Sequence, residues 1–150
     1  MKGKDSIVVF VEQKADSKLL DKSLPSTAVS TPSISSIPSK CYRIDSHFYT
    51  FTSGLATDCD KIVKELQRGA LKNYTSSGTP MPISHSVQQI ADWKQYLTQH
   101  GGNRPFAVSM VYVGVEDGEL TLMSSTPSGY YGAYKAVAVG ISFLLLYYCN

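Results

Sequence analysis

From Phe106 to Val113 the chain reads FAVSMVYV, and only Ser109 in that run is polar. Side chains alternate across a strand. Phe106, Val108, Met110 and Tyr112 therefore face one way, and Ala107, Ser109, Val111 and Val113 the other. A strand that is apolar on both sides needs cover on both sides. That requirement confines the chain to a layered fold with this strand inside a sheet. Asp117-Gly118 marks a hairpin turn after it, and residues 119–124 read as the returning strand.

The segments before the strand supply one layer of cover. From about 57 to 74, Ile62, Val63, Leu66, Ala70, Leu71 and Tyr74 recur at three and four residues, the period of an amphipathic helix. Thr57 or Asp58 is placed to cap it. Gly69 inside it costs roughly 1 kcal/mol against Ala, which implies close packing there. Ser84 is placed to cap a second helix over 85–100, with Val87, Ile90, Ala91 and Leu97 inward and Trp93 and Tyr96 flanking. Gly101-Gly102 ends it.

Further upstream, SIVVFVE (6–12) reads as a strand behind the turn residues Lys2 to Asp5. CYRIDSHFYTFT (41–52) reads as a strand pair turning at Asp45-Ser46. Pro127-Ser128-Gly129 breaks the chain before a last strand over 130–139. The order is strand, strand pair, helix, helix, three strands, which argues for a layered α+β sandwich. Two segments stand outside this pattern. Residues 22–39, with Pro25, Pro32 and Pro38, form a Ser/Thr/Pro-rich loop. Residues 141–150 form a hydrophobic tail. The apolar run that contains it, 136–149, is shorter than the roughly 20 helical residues that span a bilayer.

Composition narrows the function classes. A length of 150 residues fits one domain, and 43% apolar with 17% charged residues can build a core. A net charge of +2 gives no basis for a nucleic-acid or anionic-membrane partner. Cys41, Cys59 and Cys149 are odd in number and widely spaced, so neither a zinc site nor a disulfide framework is indicated, and reduced thiols are expected. Asn73-Tyr74-Thr75 matches a glycosylation sequon and is read as incidental. His47, His85 and His100 sit in dissimilar contexts, and no phosphate loop, G-x-S-x-G or cofactor motif is present.

Four pieces, taken together, resemble proteasome core-particle subunits of the α type. They are GKDSIVVFVEQKADSKLL (3–20), YRIDSHFYTFTSGLATDCDKIV (42–63), GGNRPFAVSMVYVG (101–114) and TPSGYYGAYKAVAVG (126–140). SGLATD at a helix start, RPF opening a strand and PSG-x-Y-x-x-x-K-A-x-A-x-G form a joint signature. The resemblance implies an N-terminal-nucleophile hydrolase-like α/β/β/α sandwich of antiparallel sheets. It places one α-type domain at 1–140, with the 22–39 loop inside it and the 141–150 tail appended.

The resemblance also implies a non-catalytic structural subunit of the α ring. Such a subunit acts in ring assembly, gating and activator docking in ubiquitin-dependent protein degradation, in the cytoplasm and nucleus. Its partners would be other α subunits, β subunits, and the C-termini of regulatory particles or activators. No cofactor and no metal are expected. In the family, activator tails enter pockets between α subunits, where a lysine meets the tail carboxylate. Lys40 is the positional match, with Gly54 and Leu55 nearby. Cys41 departs from the larger aliphatic residue usual in the family, and the 22–39 loop runs directly into Lys40.

Catalytic relatives of this fold use an N-terminal threonine, whose amine is the base and whose hydroxyl is the nucleophile. Glu12 falls where they carry the carboxylate, and Lys40 where they carry the lysine. No residue corresponds to the nucleophile, so catalysis is not expected. The alternatives are a competent threonine-type peptidase of the same fold and a remnant that does not assemble. Measured against the family, the chain is expected to lack the gate tail, first helix and first strand, and also the helices that cover the second sheet. An uncovered sheet predicts poor solubility or self-association.

Overall fold

The computed structural model describes Ser6, Ile7, Val9, Val11 and residues 40–140. The 22–39 loop, the 141–150 tail, Glu12 and Cys149 lie outside the described residues. Of the strand expected at 6–12, Ile7 forms a single β-bridge.

Among the described residues seven elements follow in order: β1 (Cys41–Asp45), β2 (Phe48–Gly54), α1 (Ala56–Ser77), α2 (Ile83–Gln99), β3 (Val108–Glu116), β4 (Glu119–Ser125) and β5 (Tyr131–Ala133). The strands make one five-stranded antiparallel sheet in sequence order. Its longest ladder joins β2 to β3, from Phe48 opposite Gly114 to Gly54 opposite Val108. Both helices are inserted between those two strands, and the antiparallel pairing returns the chain beside β2. The chain is thus of the α+β class, with one sheet and one helix layer among the described residues.

The core lies between these layers. Phe48 from β2, Val108, Met110 and Tyr112 from β3, and Met123 from β4 meet Ile62, Val63 and Leu66 of α1 and Ile83, Val87 and Ile90 of α2. Full burial of each such side chain stabilises by roughly 1.5–3 kcal/mol. The face carrying Phe106, Val108, Met110 and Tyr112 is fully buried, as the alternation predicts. The opposite face is less covered: Val111 and Val113 are half-buried, and Tyr49 and Val115 are exposed.

Several local expectations are corrected. The last strand covers Tyr131–Ala133 instead of 130–139. The first turn is Ser46-His47, with a register shift between Arg43 and Asp45. Helix α1 begins after Leu55, an N-cap residue without a polar side chain, and Asp58 lies inside the first turn with its carboxylate on Arg104 and the Ala107 N–H. It also runs on to Ser77. Thr75 bonds the carbonyl of Leu71, and Ser76 and Ser77 bond that of Asn73, so these hydroxyls are satisfied inside the helix. Helix α2 begins after Pro82, and Ser84 does not cap it. Instead Ser84 donates its hydroxyl (2.7 Å) and its N–H (3.3 Å) to Glu116 at the end of β3, so the strand supplies the anion for the helix N-terminus. Gly69 is not at a close contact. A Cβ there would meet Gln89 Oε1 and Met81 Sδ at an ordinary 3.8 Å.

Candidate functional site

The three residues expected to receive an activator tail sit at one end of the sheet. Thr52 N–H donates to the Lys40 carbonyl at 2.9 Å, extending the β1–β2 ladder by one step. This sets Lys40 across from the residues that lead into Gly54 and Leu55. The Lys40 side chain is exposed. Leu55 is 47% exposed and presents an apolar surface at the start of α1. Its N–H donates to the Ala107 carbonyl at 3.0 Å.

Gly54 makes this edge possible. Its φ is +138°, and a Cβ there would collide with the Ala107 carbonyl and the Val108 Cα. Only a residue without a side chain lets β2 turn into α1 while hydrogen-bonded to the entry of β3.

Four residues past Gly54, Asp58 fastens the same corner. It is 1% exposed. Its carboxylate accepts both Arg104 guanidinium nitrogens, at 2.7 and 2.8 Å, and the Ala107 N–H at 3.2 Å. The Arg104 hydrogen bonds hold the Asp58 carboxyl below its ordinary value against burial, which pushes it up, and Asp58 in turn raises the guanidinium. SGLATD and RPF are thus two halves of one contact. The third signature piece acts on α2. Gly129, at φ +91°, lies so close to that helix that a Cβ would be 2.7 Å from the Ala91 carbonyl and 2.8 Å from the Gln95 nitrogen.

Other candidate residues are not brought together. His47 Nε2 donates to the Met81 carbonyl at 3.2 Å, His85 contacts Gln89, and His100 stacks on Tyr96. Among the described residues no group of His, Cys, Asp and Glu is arranged to hold a metal ion. No described helix is long and apolar enough to cross a membrane. An open groove of about 390 Å³ lies between α1 and α2, lined by Glu65, Gly69, Met81, Gln89 and Trp93. Glu65 is ten residues along α1 from Leu55, about 15 Å of helix, so this groove is separate from the Lys40 edge.

Sequence reasoning missed Lys94. It is fully buried, and its amine donates to the Val108 carbonyl (3.0 Å) and the Ser125 hydroxyl (2.9 Å). The signal was present: Lys94 is four residues after Ile90 and three before Leu97, inside the apolar stripe of α2. An amine–hydroxyl pair of this kind is an activated nucleophile when a substrate can reach it. Here it is sealed in the core.

The family model described as proteasome subunit matches residues 1–148. The chain is 34% identical over 138 residues to proteasome subunit alpha type-4 of Dictyostelium discoideum, covering 91% of this chain and 51% of that protein. It is 33% identical over 140 residues to proteasome subunit alpha type-4 of Drosophila melanogaster, covering 93% and 48%. It is 34% identical over 140 residues to proteasome subunit alpha of Methanococcus maripaludis, covering 93% and 49%. The chain spans about half the length of the curated relatives it matches.

Proposed function

The chain belongs to the proteasome subunit family and is of its α type, and from that premise we propose that it is a non-catalytic structural subunit of the α ring of the core particle. It packs beside other α subunits and on β subunits, contributes to ring assembly and gating, and docks activator or regulatory-particle C-termini. It does so in ubiquitin-dependent protein degradation, in the cytoplasm and nucleus, with residues 1–140 as its α-type domain.

The observation that carries this reading is the corner built by Gly54, Asp58 and Arg104. The signature residues are spent on seating the entry of β3 against the start of α1, beside an exposed lysine. An ammonium at such an edge suits a chain-terminal carboxylate, with Leu55 as the apolar wall for the residue before it. The non-catalytic reading is supported by the Lys94–Ser125 pair being shut away from any peptide.

The test uses the full chain, tagged, in cells that hold the other subunits. α and β subunits should co-purify with it, and the isolated chain should leave fluorogenic peptides intact. In the assembled particle, Lys40→Ala should weaken binding of a peptide bearing an activator C-terminus by roughly tenfold without altering co-purification. Peptide hydrolysis by the isolated chain, or a pull-down without proteasome subunits, would overturn the assignment. Unchanged peptide affinity in Lys40→Ala would overturn the docking edge alone.

A further inference from the structure

We propose that Lys94, Ser125 and Tyr112 form a buried proton latch, which holds α2 to the sheet more tightly when the Lys94 amine is neutral than when it is charged.

A neutral amine has two N–H donors, and the site holds two acceptors, the Val108 carbonyl on β3 at 3.0 Å and the Ser125 hydroxyl oxygen on β4 at 2.9 Å. Ser125 is 2.9 Å from the Tyr112 hydroxyl, which reaches Met110 Sδ at 3.5 Å. With Ser125 donating to Tyr112 and Tyr112 to Met110, every proton of this chain has a partner. A charged ammonium carries a third N–H. Among the described residues neither a third acceptor nor a carboxylate within 4.0 Å answers it. A buried charge without a partner is costly, and the group relieves that cost by losing its proton.

The surroundings agree. From α1 the titratable group that acts on the amine is Cys59, itself buried with its thiol pushed up by burial. From β3 Tyr112 is linked to it through Ser125, and burial pushes that hydroxyl up as well. The Asp58–Arg104 pair at the entry of β3 is internally compensated. On β4, Ser125 faces the amine, and Glu119 lies at the strand's far end. β5 contributes Tyr131, which is exposed, as is Asp92 on α2 itself. Burial pushes the Lys94 ammonium down from 10.5 to about 8, with Cys59 acting weakly in the other direction.

The sign follows from linkage. Between about pH 8 and 10.5 the unfolded chain holds a proton on Lys94 that the folded chain has released, so this group makes stability rise with pH across that window. Below it, both states are charged and the group adds no slope. A fall from 10.5 to about 8 amounts to a roughly 300-fold change in the folding equilibrium.

The experiment is urea unfolding of the full chain from about pH 7 to 10.5, followed by Trp93 fluorescence, for the natural chain and Lys94→Met. Methionine keeps the length of the stem and removes the titrating group. The folding equilibrium of the natural chain should gain on that of the variant by about sixtyfold between pH 7.5 and 10. Parallel profiles would overturn the latch. Should Lys94→Met fail to fold, the Cε resonance of Lys94 in the ¹³C-lysine-labelled natural chain decides. A midpoint near 8 supports the latch, and one near 10.5 overturns it.

Discussion

Replacing Asp58 with Ala tests the corner on which the proposed docking edge rests. The carboxylate is 1% exposed and accepts three hydrogen bonds, two from Arg104 at 2.7 and 2.8 Å and one from the Ala107 N–H at 3.2 Å. A hydrogen bond to a charged group contributes about 1.5–3 kcal/mol, and a buried donor left unsatisfied costs about 1–3 kcal/mol. These terms do not add in full. The Arg104 side chain is 59% exposed and regains water when its partner is gone. A loss of about 2–3 kcal/mol is therefore expected. With a urea dependence of about 1–3 kcal/mol per molar, that moves the unfolding midpoint down by about 1 M or more. Trp93 is a local reporter, since it is the single tryptophan and sits edge-on to Phe106 at 4.7 Å, two residues past Arg104.

The same variant carries a pH signature. The Asp58 carboxyl is held below its ordinary 3.8, chiefly by Arg104. Its folded value is depressed, so its contribution is in place above about pH 4 and disappears as pH falls through the lower folded value. Asp58→Ala should flatten that acid limb. Asp58→Asn, which keeps an acceptor for Ala107, should fall between the natural chain and Asp58→Ala in midpoint and share the flattened limb. A midpoint for Asp58→Ala within about 0.2 M of the natural chain, with an unchanged acid limb, would refute the account of the corner.

Two glycine substitutions should move stability in opposite directions. Gly69→Ala should stabilise by about 0.5–1 kcal/mol, because the helix gains a residue with lower backbone entropy cost and the new Cβ finds ordinary contacts at 3.8 Å; an increased urea midpoint checks it. Gly54→Ala should destabilise by at least about 2 kcal/mol, since φ +138° strains a side-chain-bearing residue and its Cβ overlaps the Ala107 backbone. Loss of amide-exchange protection at Leu55, whose N–H bonds the Ala107 carbonyl, should accompany it.

Periodicity made most of the elements legible. The spacing of Ile62, Val63 and Leu66 and of Val87, Ile90 and Ala91 located both helices, and the alternation from Phe106 to Tyr112 located β3 and its buried face. These are one-dimensional patterns that burial imposes on any chain with one core. The helix starts were read less well. Thr57, Asp58 and Ser84 are capping residue types, and nothing local distinguishes a cap from a side chain claimed by a distant strand. Asp58 was taken by Arg104 and Ser84 by Glu116. The Lys40 edge was legible through the likeness of its motif, while the one-step extension of the β1–β2 ladder that places it there needed coordinates.

By itself, then, the order of residues determined the α+β class, the buried face of β3 and the family, because hydrophobic spacing and a joint signature are properties of a string. Partnership across 46 residues, as between Asp58 and Arg104, is decided in space. So is the fate of Lys94, whose type predicts solvent and whose position on α2 predicts the core. Folding resolved that conflict in favour of position. The apolar residues around Lys94 gain more by closing over the stripe than the amine loses with two acceptors at hand.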